Sequence, residues 1–246
     1  RRWDAFADTY SKNHNEQGDI HKEVFLNPTL FSLMGQLKNK QVLDAGCGEG
    51  YLSRLLSKGG SNVTAVDYSL RMIEIAQERT PNDLQIKYIK GNCEDLNTLK
   101  DTNFDLIVSN MVMQDLPNYE KAFQEMFRLL VEGGSFIFSI LHPCFVTPGS
   151  GWEKNDSGEK LHWNVDRYFY EGAHEQRLGD KDKVMFFHRT LTSYVDKLIK
   201  TGFTIESIVE PKPSEKMLEK YPSFEEDLRC ADFIVFKAKK KKKMTN

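Results

Sequence analysis

Three glycines at alternate positions, Gly46, Gly48 and Gly50, with Asp44 and Ala45 just ahead of them and Cys47 and Glu49 between, make up the segment "VLDAGCGEG". Glycines spaced in this way let a backbone turn sharply and approach a ligand closely. The turn stands where an apolar run ends and a helical pattern begins, which is the edge at which open α/β sheets bind ligands. A second acid, Asp67, closes the run "NVTAVD" 21 residues beyond Gly46. A carboxylate there accepts hydrogen bonds from both hydroxyls of a ribose. Its competing role is to cap the next helix, a task that Ser69 can perform instead. Both NAD and S-adenosylmethionine carry such a ribose. The dinucleotide fingerprint G-x-G-x-x-G needs its third glycine at 51, where Tyr51 stands. Asp44 and Glu49 also flank the turn, and two carboxylates repel a pyrophosphate while suiting a ligand that bears an ammonium and a sulfonium. A NAD-dependent oxidoreductase of Rossmann type is the alternative reading.

The six histidines, His14, His21, His142, His162, His174 and His188, all lie outside residues 22–141. His142, in "LHPCF", ends a strand and is the candidate general base or acceptor contact, against a plainer role as a hydrogen-bond partner that organises the loop. His188 precedes a helix that Thr190 can cap, so it either meets the acceptor or anchors a hinge; Arg189 beside it either binds a substrate carboxylate or joins a surface ion pair. Trp3, Tyr10, Trp152, Trp163 and Tyr168 either wall the site, offering a sulfonium cation–π contact, or form small local cores. No His, Cys, Asp and Glu spacing marks a metal site.

The elements that must position these residues alternate. Strands are expected over 41–45, 62–67, 84–90, 104–110 and 135–141, separated by helical patterns, which is the signature of parallel strands joined by right-handed crossovers. The helix from about 118 is expected to stop at Gly133 and Gly134. A helix after 190, capped by Gly202, then leads to strands 203–209 and 232–238, an antiparallel pair. Residues 143–188 break the rhythm with turn formers among many aromatics, so they read as an inserted substrate cap rather than disorder. Residues 1–40 read as a helical cap segment, with a helix near Pro28 burying Leu30, Phe31, Met34 and Leu37. The expected organisation is thus 1–40 N-terminal cap, 41–142 cofactor-binding core, 143–188 inserted cap, 189–238 core completion and 239–246 a disordered lysine-rich tail.

From Gln41 to Leu141 the ordered set "VLDAGCGEG", "VTAVDYS", "IKGNCEDL", "FDLIVSN" and "FRLLVEGGSFIFSI" resembles the class I S-adenosylmethionine-dependent methyltransferases of small molecules. The resemblance implies a Rossmann-like, doubly wound α/β fold with a seven-stranded sheet whose last strand is antiparallel. It implies S-adenosylmethionine as cofactor and S-adenosylhomocysteine as product, with the methionine part against Asp44, Ala45, Gly46 and Gly50, and Cys47 and Gly48 in the same turn. It places the ribose on Asp67, the adenine face against Tyr68 and Met72, the adenine edge near Asn92, Cys93 and Glu94, and the methionine moiety beside Asn110 and Met111. The family often has Asp where Asn92 stands. The acceptor is expected to be a small molecule, with Tyr10, Trp152, Tyr168 and His188 as its contacts and His142 as the catalytic residue. A non-catalytic S-adenosylmethionine-binding protein is the other alternative.

Composition bounds the partners. The chain has 246 residues, 39% hydrophobic, 28% charged and 11% aromatic, as in globular proteins. Its 34 basic residues face 36 acidic ones, but six lysines crowd the last ten positions; without them the count is 28 against 36, or −8. That is a poor electrostatic footprint for nucleic acid. The terminal lysines are read as a solvated tail rather than a hook for a polyanion. No apolar run approaches the ~18 residues of a membrane span. The four cysteines, Cys47, Cys93, Cys144 and Cys230, form no Cys-x-x-Cys pair, which fits a reducing cytoplasm. A monomer or a homodimer is expected.

Overall fold

Strand β1 (Gln41–Ala45) is buried from Val42 onward because parallel neighbours take both of its edges, β2 (Asn62–Asp67) on one side and β4 (Phe104–Asn110) on the other. Strands enclosed on both faces read as continuous apolar runs, which is why this part of the chain was so legible. The computed structural model describes residues 2–99, 103–178 and 182–241. Outward from β2 the sheet adds β3 (Ile86–Lys90), and outward from β4 it adds β5 (Leu130–Leu141), all parallel. Strand β11 (Phe233–Lys240) then pairs antiparallel with both β5 and β10 (Phe203–Val209), giving the seven-stranded order β10-β11-β5-β4-β1-β2-β3. This is the doubly wound α/β sheet expected from the sequence, with its last strand antiparallel.

Successive residues of a strand point to opposite faces, and the core is accordingly two layers. Leu43, Ala45, Ile107, Phe136 and Phe138 pack under helices α5 (Tyr119–Leu129) and α6 (Leu191–Thr201). Val42, Leu106, Val108 and Ile137 pack on the other face with α2 (Asn27–Met34) and α3 (Tyr51–Lys58). Helix α4 (Leu70–Arg79) opens on Ser69, whose hydroxyl accepts from Met72 N–H as expected. Thr190 caps α6, and Gly202 ends it in the left-handed region.

Helix α5 departs from expectation. It ends at Leu129, and β5 begins at the next residue. Gly133 and Gly134 lie inside the strand, where the register to β4 jumps from Phe104↔Leu130 to Leu106↔Ser135. A side chain at 134 would meet Leu130 Cδ2, Val131 O and Phe104 O at 3.0 to 3.1 Å, so the glycines serve a bulge rather than a helix stop. The expected tail also begins later. Lys239 and Lys240 belong to β11, Lys240 Nζ donates to Phe127 O and Leu130 O at 2.8 Å each, and Lys239 pairs with Glu206. Residues 242–246 lie outside the described residues.

The N-terminal segment forms α1 (Arg2–Lys12), a π-helical turn over Lys22–Leu26, and α2. Helix α1 lies on α4, with Ala7 packed between Met72 and Ile75, and Asp4 Oδ1 accepting from Ser69 Oγ at 2.7 Å. The segment 143–188 forms two hairpins, β6 (Gly151–Lys154) with β7 (Lys160–Asn164) and β8 (Gly172–Leu178) with β9 (Asp182–His188). Helix α7 (Glu215–Lys220) precedes β11.

Candidate active site

The glycine turn is built against its neighbours rather than around open space at every position. Gly46 sits at φ +86°, and a Cβ on it would lie 2.4 Å from Val112 Cγ2. Gly46 N–H and Cys47 N–H both donate to Val66 O, at 2.8 and 2.9 Å, which fixes the turn to β2. Gly48 differs: its N–H donates to Asp67 Oδ2 at 2.8 Å, and a Cβ there would meet no atom within 4 Å. The space beside Gly48 and Asp67 is therefore open.

Asp67 Oδ1 accepts from Ser69 N–H at 2.8 Å. Ser69 performs the capping, as predicted, and the Asp67 carboxylate takes backbone N–H groups of Gly48, Tyr68 and Ser69. Burial pushes the Asp67 carboxyl above the usual range, against the pull of the Ser69 and Gly48 N–H groups. Burial likewise raises Asp44 to about 7, even though Ser53 Oγ donates to its Oδ2 at 2.6 Å. These acids suit a ligand that brings hydroxyl donors and positive charge, and the open side of Gly48 gives it room. The residues present therefore fit S-adenosylmethionine.

Glu49 does not share that role. Its carboxylate takes Arg54 Nη2 at 2.9 Å, Arg79 Nη1 at 3.1 Å and His14 Nδ1–H at 3.3 Å. Burial would raise Glu49, but His14 and Arg54 outweigh it and hold the group at about 2. Its partners tie the N-terminal segment to the glycine turn. Lys22 Nζ, buried beside them, donates to Tyr10 Oη and Asp19 Oδ2 at 2.8 Å and to His14 Nε2 at 3.1 Å. Tyr10 thus stands with Lys22 and His14.

Several carried-over residues are occupied elsewhere. Met72 packs with Ala7, Ile75, Trp3 and Tyr10 between α4 and α1. Tyr68, 57% exposed next to Asp67, keeps a free ring. Ala45 and Cys93 are buried in the core under α5, and Cys47 in the layer with α3. Asn92 Oδ1 accepts from Glu94 N–H, and Glu94 Oε1 accepts from Asn118 N–H at 2.6 Å, bridging to the start of α5. Asn110 Nδ2 donates to Tyr51 Oη at 2.6 Å, and Tyr51 Oη donates to Asn27 Oδ1. Met111 follows at φ +63°, a strained value for a side chain of its size.

His142 has a partner on each ring nitrogen. It is buried, its Nε2–H donates to Glu210 Oε1 at 2.9 Å, and its Nδ1 accepts from Cys144 N–H at 3.2 Å. With both ring nitrogens engaged it organises the loop after β5, and burial holds it towards the neutral form against the pull of Glu210. His188 Nε2–H donates to Tyr168 O, and Tyr168 Oη accepts from Leu191 N–H, so both residues anchor the entry to α6. Arg189 neither meets a carboxylate ligand nor joins a surface ion pair: it donates to Met113 O, Leu116 O and Pro117 O and lies over the Tyr119 ring. Trp152 stands edge-on to Trp163 and beneath Arg229, in a separate cleft with Phe145 and Cys230.

One residue was missed by the sequence reading. Asp115 lies on a 3-10 turn (Met113–Asp115) just past β4, and its Oδ1 is fully buried with no hydrogen-bond partner among the described residues. Burial first, and Asp67 second, push its carboxyl well above the usual range. Its one sequence signal is an acid set five residues past the end of a strand that abuts β1.

Comparison with known proteins agrees with this geometry. Residues 43–138 match the methyltransferase domain family. An uncharacterized protein of Haemophilus influenzae is 31% identical over 219 residues, 85% of this chain and 84% of that protein. The malonyl-[acyl-carrier protein] O-methyltransferase of Pectobacterium atrosepticum is 34% identical over 132 residues, 53% of this chain and 51% of its own, so the match spans about half of that enzyme. The solved S-adenosylmethionine dependent methyltransferase of Mesorhizobium loti superposes with a TM-score of 0.76 at 28% identity, covering 86% of this chain and 96% of that one.

Proposed function

Because this chain belongs to the class I S-adenosylmethionine-dependent methyltransferases, we propose that it methylates a small molecule held between the cofactor cradle and the segments 1–40 and 143–188. The observation that supports this reading is that an element of each segment packs on a turn or helix start that follows a central strand. Helix α1 is seated on the start of α4 through Asp4 and Ser69, and β9 packs on the 3-10 turn that follows β4. A site walled on both sides favours a small acceptor over a macromolecule, and so does the −8 charge of the chain without its terminal lysines.

When bound, S-adenosylmethionine supplies a methyl carbon on a sulfonium, whose bonding pair returns to sulfur as neutral S-adenosylhomocysteine is formed. The chain's own residues bind and orient. Asp67 accepts from the ribose hydroxyls, Gly48 leaves room for that ring, and Tyr68 offers its exposed face to the adenine. Asp44 and Asp67 give the site the negative potential that a sulfonium favours. A sulfonium is already a good leaving group, so alignment and exclusion of water supply most of the acceleration. The four thiols are free, which fits a reducing compartment, and among the described residues no helix is long and apolar enough to cross a membrane.

The test is methyl transfer from methyl-labelled S-adenosylmethionine to parallel panels of small hydroxyl, carboxyl and amine compounds, RNA, DNA and protein. The Pectobacterium relative is an O-methyltransferase, which puts hydroxyl and carboxyl acceptors first. Label is expected in the small-molecule panel; label confined to a macromolecule overturns the reading.

A further inference from the structure

The turn after β4 satisfies its own polar groups with unusual completeness. Met111 O accepts from Gln114 Nε2, Val112 O from Asp115 N–H, and Met113 O, Leu116 O and Pro117 O from Arg189. Gln114 Oε1 in turn accepts from Leu141 N–H at 2.8 Å, binding the turn to β5. Against this background Asp115 Oδ1 is buried and unpaired. A buried carboxyl oxygen without a partner is costly, and native structures retain one mainly where something else supplies the partner.

Its surroundings say what that partner is. Asp115 lies within reach of the Asp67 charge on one side, and its own charge acts on Tyr194 on the other. Tyr194, Gln114 and His174 line a narrow cavity between the end of β5 and the second hairpin. Asp115 belongs to the turn that follows β4 at the carboxyl edge of the sheet, and that turn packs against β5 and β9, beside the wall of this cavity. His142 is occupied by Glu210 and Cys144 and His188 by Tyr168, whereas His174 Nδ1, like Asp115 Oδ1, is buried without a partner among the described residues, so the two are separated by the variants below.

We propose that Asp115 is a catalytic residue, whose Oδ1 receives the hydrogen bond and then the proton of an acceptor whose nucleophilic oxygen or nitrogen carries hydrogen. The inference rests on the small-acceptor reading above and names the group that reading lacks. In the transfer, a lone pair of the acceptor forms the bond to the methyl carbon. Its O–H or N–H bond breaks with the electron pair left on the heteroatom, and the proton passes to Oδ1. A carboxyl must be ionised to take a proton. Burial and Asp67 raise the Asp115 carboxyl, whereas a cation placed beside it favours the carboxylate. Arg189, which donates to Met113 O, Leu116 O, Pro117 O and Phe187 O, is not among the charges that act on Asp115. Charge from the cofactor would thus arm the base only when methyl donor is present.

The experiment is titration calorimetry with two probes on the folded full chain. One is S-adenosylhomocysteine, neutral at sulfur; the other is the cofactor analogue in which a carbon bearing an ammonium replaces the methylated sulfonium, which presents N–H donors where the acceptor would. Asp115→Asn is expected to lower the preference for the amine analogue by about tenfold or more, with S-adenosylhomocysteine affinity within about threefold of wild type. Asp115→Glu should recover part of the preference. An unchanged preference in Asp115→Asn, or equal weakening of both ligands, overturns the assignment. An equal loss in His174→Gln overturns it too, by moving the role to the hairpin. Failure of the wild type to bind S-adenosylhomocysteine would instead refute the cofactor site itself.

Discussion

Gly46→Ala perturbs the glycine turn at one atom, and its cost can be worked from two separable sources. The residue sits at φ +86°, where a Cβ crowds its own backbone at roughly 1–2 kcal/mol. The same Cβ falls 2.4 Å from Val112 Cγ2 and 2.8 Å from Cγ1, an overpacking of roughly 1–3 kcal/mol. The expected total is about 3 kcal/mol, read as a lower urea midpoint at unchanged slope. Val112 is half-buried, so Val112→Ala alone should cost only about 1 kcal/mol. In the double variant the contact with the valine methyls is gone while the backbone strain persists. Gly46→Ala should then cost about 1–2 kcal/mol less in the Val112→Ala background than in wild type, a coupling that a double-mutant cycle resolves. Equal costs in the two backgrounds would show that the side chain of Val112 is not what demands glycine at 46.

Asp67→Ala should weaken S-adenosylhomocysteine by about 10–100-fold in calorimetry, the range for hydrogen bonds to a charged acceptor; affinity within twofold would remove the ribose assignment. Glu49, held at about 2 against an ordinary 4.5, contributes stability that is fully present above pH 4.5 and is lost as pH falls through 2, about 3 kcal/mol in all. Glu49→Gln should flatten this acid limb in urea midpoints measured from pH 2.5 to 7, and a limb of unchanged height would place the titration elsewhere. His142→Ala should lower stability by about 1–3 kcal/mol, because Cys144 N–H and Glu210 lose their partner, while leaving turnover on an identified acceptor within about threefold. A loss of turnover of a hundredfold with cofactor affinity intact would restore His142 as the base.

The sheet was legible because its middle strands are buried on both faces and therefore spell out their length in apolar residues. β1, β2 and β4 match their expected bounds to the residue. The end of α5 was not legible, since a glycine pair marks a helix stop and a strand bulge in the same letters, and only pairing with Phe104 decides between them. The cofactor turn was legible as backbone and less so as side chains. Asp67 stands where its spacing put it, but the Glu49 carboxylate is claimed by Arg54, Arg79 and His14, the last of them 35 positions away. His142 shows the same limit from the other side: its position after β5 was readable, its partner Glu210, 68 positions on, was not. Asp115 escaped because it was judged as one acid among many, and what singles it out is the absence of a partner in the folded chain.

Strand β11 joins the sheet between β5 and β10, not at its rim. During synthesis it emerges after both neighbours, so until it arrives each of them presents a bare row of N–H and C=O groups. Strand β5 carries Phe136 and Phe138 beside that bare row, the latter destined to stack on Phe236 at 4.9 Å. Unpaired strands with apolar faces are the template on which chains associate wrongly. The nascent protein is thus most vulnerable to aggregation in the interval before β11 forms its two antiparallel pairings, and a chain halted short of Phe233 should need a chaperone to stay dispersed.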